Sequence, residues 1–300
     1  MKVKLEERYL NLLTDFGFHK VFGTESNEDL LIDFLNEIIK EEGLITSIKY
    51  LTPGQLGNIK TDRRAVFDIF CTTENGEYFI VEMQRAKQEF FPERIIYYSS
   101  FPIQKQAPRG IWDYHLKAVY IVAILNFVIF EEFEEDKEQV VEYVQLVRER
   151  TKTSYSNKLK FAFVELPKFK KTEEELETNF DKWLFTIKNL HKLKERPAAV
   201  QGEIFEKLFE LSEIKQLSEK DMGRYRKSVF EISDYHNTID YARKEGRKEG
   251  REEGREEGRE EGKVDIIKKC FQMEIPMEVI VKLTGYSQEQ IICYKMNANL

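Results

Sequence analysis

The chain has 300 residues, of which 41% are hydrophobic, enough to bury one large core with appendages. Charged residues make up 34% and the formal net charge is -7, which excludes indiscriminate coating of nucleic acid but leaves room for a local basic cleft. The 3 cysteines, Cys71, Cys270 and Cys293, form neither an even disulfide framework nor a metal spacing, and point to a reducing compartment.

The amino-terminal stretch MKVKLEERYLNLL lacks a signal-peptide core, and the longest apolar run, 118–130, is too short for a spanning helix of ~20 residues. The expectation is a soluble, cytoplasmic protein with no membrane partner. TDFGFHKVFG, at 14–23, reads as a turn leading into or interrupting a helix. From Asn27 to Glu41, Leu30, Leu31, Phe34, Leu35, Ile38 and Ile39 make the stripe of one amphipathic helix, ended by Gly43. Ile45 to Leu51 reads as the first core strand. After Pro53, the polar loop GQLGNIKTDRR carries Lys60, Arg63 and Arg64, which either hold the phosphates of a nucleic acid strand or balance nearby carboxylates.

Val66 to Gln84, VFDIFCTTENGEYFIVEMQ, reads as a β-hairpin turning at Glu74-Asn75-Gly76, with Gly76 in the left-handed position. In that register Phe70 faces Ile80, Asp68 faces Glu82 and Val66 faces Gln84. Side chains alternate with period two, so Asp68, Glu82 and Gln84 share one face while Phe67, Ile69, Cys71, Phe79, Val81 and Met83 share the other. Val66, Phe70 and Ile80 make the acid-bearing face largely apolar as well, so both sides of the hairpin are expected to be covered. Opposed β-carbons lie ~4.5 to 5.5 Å apart, and like charges at that distance are destabilising. A divalent cation offsets that repulsion economically; an ion pair with Arg63, Arg64 or Arg85 is the structural alternative.

Phe90 to Gln106 follows as a helix, with Pro92 tolerated in its first turn and Pro102 marking a kink or an early stop. Arg94 and Tyr98 share one of its faces; Arg94 can fork onto a phosphate or tie helix to sheet through an acid, and Tyr98 can orient water or substrate. His115 to Leu125 reads as a buried central strand, Val140 to Glu149 and Lys160 to Leu166 as further strands, and the acidic 131–138 as a solvated edge or loop. Helices follow: one led by a capping box at Thr172 to Glu175, one after Pro197 and one from Ser218 to Arg243.

Residues 243–262 repeat RKEG and REEG, placing glycines at 246, 250, 254, 258 and 262. Each Gly costs ~1 kcal/mol in a helix, against ~0.2 to 0.5 kcal/mol for each supporting ion pair. The segment is either a marginal extended helix whose Gly stripe admits a second helix, or a flexible charged tether. Val264 to Asn297 reads as a small module: a helix through Met273, a break at Pro276, a second helix to Leu283, a turn at Thr284-Gly285-Tyr286, and a capping box at Ser287 to Gln290 opening a third. That pattern is similar to a helix-turn-helix unit, for which DNA contact and partner binding both remain open.

The hairpin, with its Asp, β-turn and Glu-X-Gln, resembles the active-site hairpin of the PD-(D/E)XK nuclease superfamily. More closely, the chain to about residue 240 resembles the recombination-promoting nuclease and putative transposase family, through TDFGFHKVFG at 14–23, RRAVFDIFCTTENGEYFIVEMQ at 63–84, RIIYYSS at 94–100 and VYIVAILNFVIF at 119–130. Phe67 departs from the Pro that gives the superfamily its name, and Gln84 from its usual Lys. The resemblance implies an α/β fold, a restriction-endonuclease-like core of central mixed sheet and flanking helices with a helical C-terminal extension. The parts expected are a nuclease-like core at 1–170, a helical lobe at 171–242, a charged Gly-repeat helix or linker at 243–262 and the helix-turn-helix-like module at 263–300.

It further implies a Mg²⁺-dependent DNA endonuclease, Mn²⁺ serving as well, linked to recombination or transposition. Asp68, Glu82 and the Met83 carbonyl hold the metal and Gln84 positions the attacking water. A neutral Gln accepts no proton, so the base is metal hydroxide, solvent or a substrate phosphate. Asp15 and Lys20 stand where the family places an acid and a Lys; Asp15 is either a further carboxylate for the metal or a helix cap. Lys60, Arg63, Arg64, Arg94 and Tyr98 are the candidates for DNA contact. The alternative is a catalytically weak scaffold that binds DNA, or itself, through the C-terminal helices. A homo-oligomer formed through those helices is expected in either case.

Overall fold

A computed structural model describes residues 7–39, 44–51, 67–107 and 110–297. The chain forms two compact units, 1–230 and 231–300. In the first, the described strands make a six-stranded mixed sheet in the order β1-β2-β3-β4-β6-β5, from β1 (Ile48–Tyr50), β2 (Ile69–Thr73), β3 (Tyr78–Gln84), β4 (Val119–Leu125), β5 (Val141–Val147) and β6 (Ser154–Glu165). β3, β4 and β6 run parallel at its centre, and antiparallel partners close both sides. β4 is buried at every position, as its unbroken run of apolar residues requires.

Period-two alternation divides the sheet's side chains between two cores. On one face Phe79, Val81, Met83, Val122 and Ile124 meet helices α1 (Asp15–Phe22), α2 (Glu28–Ile38), α4 (Asn179–Asn189) and α5 (Glu203–Leu211), with Trp183 fully buried among them. On the other, Phe70, Ile80, Ile121 and Ala123 meet Phe91 and Ile95 of helix α3 (Phe91–Lys105). Both sides of the hairpin are therefore covered. Its turn has the expected geometry: Thr73 N–H donates to the Glu77 carbonyl, Gly76 N–H to the Thr73 carbonyl, both at 3.0 Å, and Gly76 has φ +79°. The Glu74 carboxylate anchors the turn to the segment before β1, accepting from Thr46 N–H and Oγ1 and from Ser47 N–H.

Four expectations need correction. Phe67 joins Phe70 and Ile80 rather than Ile69 and Cys71, because the chain bends at Asp68 and β2 begins only at Ile69, so alternation does not extend back to it. Of the two outcomes expected at Pro102, a stop at that residue does not occur: α3 runs three residues past it, so one missing bond at its last turn is tolerated. The Thr172 box closes a single 3-10 turn, its Glu175 carboxylate accepting from Thr172 N–H at 2.7 Å; α4 starts later, on a second box in which Thr178 and Asp181 satisfy each other's backbone N–H groups. β6 begins at Ser154 because its polar first half pairs as the arm of a hairpin with β5.

Helix α6 (Glu219–Gln272) continues through the glycine repeat into the second unit. Among the described residues, and apart from the helix's own neighbouring backbone, nothing lies within 4 Å of where a β-carbon would stand at Gly246, Gly250, Gly254, Gly258 or Gly262. The second unit has its own small core, Ile267, Cys270, Ile280, Tyr286 and Ile291, gathered by α6, α7 (Met277–Thr284) and α8 (Gln288–Asn297). Gly285, with φ +75°, ends α7, and the Ser287–Gln290 box opens α8 through reciprocal bonds of 2.9 and 3.3 Å. Among the described residues no helix is long and apolar enough to cross a membrane.

Candidate active site

The bend before β2 builds the site. The β2–β3 ladder stops at Ile69↔Val81, so the Met83 N–H, aimed at β2 by strand alternation, finds no strand backbone to meet it. The Asp68 carboxylate takes that place, its Oδ2 accepting from Met83 N–H at 2.7 Å. The Asp68 backbone lies near the Glu82 carboxyl and slightly opposes its rise. The Asp68 side chain thus stands in for a missing backbone bond, and at the base of the hairpin its charge acts on the Glu82 carboxyl. The same alternation turns the Met83 carbonyl to the side where β2 has ended.

Glu82 is only 5% exposed, and its Oε1 is buried without a hydrogen-bond partner among the described residues. Burial first, and then the neighbouring Asp68 charge, push the Glu82 carboxyl up to about 8, against a weaker pull from Arg94. Burial likewise pushes Asp68 up to about 6; the Met83 N–H, Arg85 and Arg94 oppose that rise and Asp15 adds to it. Among the described residues neither carboxylate forms an ion pair with an arginine: Arg85 pairs with Asp15, and Arg94 bonds Gln84 and Gln88.

Two arginines border the pair. Arg85 Nη2 donates to Asp15 Oδ1 at 2.6 Å, leaving Asp15 62% exposed at the first position of α1. Asp15 does not cap its helix: Thr14 does, through Oγ1 and the Gly17 N–H at 2.9 Å. Arg94, on α3, lies against the rings of Phe91 and Tyr98, with 5.1 and 5.7 Å from its guanidinium carbon to their centres. Its Nη2 donates to Gln84 Oε1 at 2.5 Å and its Nη1 to Gln88 Oε1 at 2.6 Å. Arg94 Nε is buried with no acceptor among the described residues. Gln84 Nε2 donates to the Ala86 carbonyl at 3.0 Å, so both ends of that amide are held. Tyr98 stands edge-on to Phe67 and feels the Glu82 charge.

Asp68, Glu82, Met83, Gln84, Arg94 and Tyr98 are thus brought together, with Asp15 at the margin. Lys20 is not: it faces Asp221 at 3.5 Å and is not among the charges acting on either carboxyl. Lys60, Arg63 and Arg64 lie outside the described residues. Gln88 escaped the sequence reading, because nothing in the composition of a loop amide announces that it will orient Arg94.

Among the described residues no three His, Cys, Asp or Glu side chains converge as a metal cluster. Two carboxylates and a backbone carbonyl do fit a hard divalent cation: Glu82 Oε1 is a buried acceptor without a hydrogen-bond partner among the described residues, and oxygen donors are what such ions take.

A mixed sheet flanked by helices, with paired acids at the base of a central hairpin, is a PD-(D/E)XK nuclease-like α/β fold. The model of the PD-(D/E)XK nuclease family transposases matches residues 12–242, and the chain belongs to that family. No curated protein and no solved structure matches the chain. Membership indicates nuclease or transposase-like activity on DNA, and nucleases of this superfamily generally use divalent metals such as Mg²⁺.

Proposed function

We propose that this protein is a metal-dependent DNA endonuclease that hydrolyses phosphodiester bonds at the Asp68–Glu82 pair, in recombination or transposition. The observation that carries this reading is the buried Glu82 oxygen with no donor among the described residues, beside a second carboxylate. Asp68, Glu82 and the Met83 carbonyl would hold Mg²⁺ or Mn²⁺. Bound there, such an ion neutralises charge gathering on the phosphate and makes water more acidic.

The rest falls to the chain's own groups. Arg94 commits two of its five N–H donors to Gln84 and Gln88, leaving donors for a phosphate oxygen. By fixing Gln84 Oε1, Arg94 presents the amide's remaining lone pair and N–H to the attacking water. Gln84 orients and takes no proton, so the proton passes to solvent or to a phosphate oxygen. Lys60, Arg63 and Arg64 are proposed to hold the scissile strand. Asp15, once released by Arg85, adds a carboxylate at the rim.

One observation favours a second reading, a catalytically weak DNA-binding or self-associating scaffold: the Gln84 amide is engaged at both ends. Plasmid cleavage separates the two. The nuclease cuts with added Mg²⁺ or Mn²⁺, loses cutting by at least about 10²-fold in Asp68→Ala and Glu82→Ala, and keeps some in Gln84→Lys. Deleting residues 241–300 leaves basal cleavage. Equal cutting by wild type and both acid variants would refute the assignment; retardation of DNA without cutting, lost on that deletion, would establish the scaffold.

A further inference from the structure

Beside the carboxylates, the first turns of α3 form an open groove of about 610 Å³ that includes Phe90, Arg94, Tyr97 and Tyr98. Its volume lies within the ~300 to 1,000 Å³ of ordinary ligand sites. Phe90 is 65% exposed and Tyr97 45% exposed. Phe90, Arg94, Tyr97 and Tyr98 recur at helical spacing, so they share one face. Tyr97 is braced edge-on by Phe101, at 5.0 Å between ring centres and 86° between planes.

The groove's polar groups restrict what it takes. Glu89 and Glu93 border it, and two carboxylates repel a phosphate. They do accept hydrogen bonds from amino groups, as an exocyclic amine of a nucleobase provides. Flat aromatic walls, a guanidinium plane and acceptors at the edge together suit an unpaired base whose phosphate lies outside. A base stacked and paired in a duplex presents neither its face nor its pairing edge, so it does not fit.

We propose that this groove is a stacking site for an unpaired nucleobase next to the scissile phosphate, so that the substrate is DNA with a single-stranded, mismatched or flipped nucleotide. The proposal rests on the nuclease reading, because the groove shares Arg94 with the Asp68–Glu82 site. Stacking on one aromatic side chain is worth roughly 1 to 3 kcal/mol per base. The single-residue effect is thus roughly 5- to 150-fold in affinity.

The test uses full-length protein in the Glu82→Gln background, so that binding is read without cutting. A short single strand containing 2-aminopurine, whose fluorescence falls on stacking, is titrated with protein. Quenching is expected, weakened roughly tenfold or more by Phe90→Ala and by Tyr97→Ala, and kept by Phe90→Trp and Tyr97→Phe. A duplex with one mismatch should outcompete a perfect duplex, and lose that advantage in the double alanine variant. No quenching, or quenching unchanged by both alanine variants, overturns the groove, whatever the cleavage assay shows. Quenching with the expected variant effects supports it even if the wild type fails to cut, in which case only the nuclease reading falls.

Discussion

Burying Glu82 opposite Asp68 has a consequence for stability that holds before any metal arrives. Both carboxyls titrate above the ordinary carboxylate range in the fold, to about 8 and about 6. Between pH ~4 and pH ~8 the native state therefore binds more protons than the unfolded chain, and stability falls as pH rises. The contribution is fully present below the unfolded pKa and lost through the folded one. His191 works in the opposite direction: burial pushes it down to about 4, so the raw profile is a sum and the difference between variants is the informative quantity. Glu82→Gln should stabilise the metal-free protein at pH 8 by on the order of 2 kcal/mol and do little at pH 4. Urea melts at the two pH values check this; equal effects at both would show that Glu82 is not held above its normal range. The acid pair itself was legible in the sequence, since a short turn and a period of two fix which side chains meet. The Arg94–Gln84–Gln88 chain of bonds was not, because it depends on rotamers and a loop path that residue types leave open.

At the level of elements, the hairpin, the central strand and the stripe of α2 could be read directly because their patterns are long and consistent. Errors fell where a local signal was right but its reach was misjudged. Thr172 caps a turn rather than the long helix, and Pro102 breaks a bond without breaking α3. The polar first half of β6 is a strand only through its partner β5. Helix α6 poses the opposite problem: among the described residues its five repeat glycines meet nothing beyond their own helix's backbone, yet the helix runs through them. Replacing all five with Ala should raise helicity by circular dichroism, each substitution contributing ~1 kcal/mol. If the proposed self-association uses the Gly stripe, the same variant becomes a monomer by sedimentation while its helicity rises. An oligomer that survives the substitution would remove the stripe from any interface.

On the scale of the whole molecule, fold and family agree on one picture: a mixed sheet carries the acids, and a family match spans residues 12–242. The resemblance carried by four short segments anticipated that picture. What the sequence could not supply was the charge state of the site, since burial of Glu82 follows from the packing of α3 and the bend at Asp68. The most direct test is therefore titration calorimetry of the intact protein with Mg²⁺ or Mn²⁺ at pH 7, in two buffers of different ionisation enthalpy. A cation held by Asp68 and Glu82 must displace the Glu82 proton, so the account expects saturable binding, a buffer-dependent heat showing proton release, and loss of both in Glu82→Gln. Absence of binding, or binding of equal strength and proton count in wild type and Glu82→Gln, would contradict it.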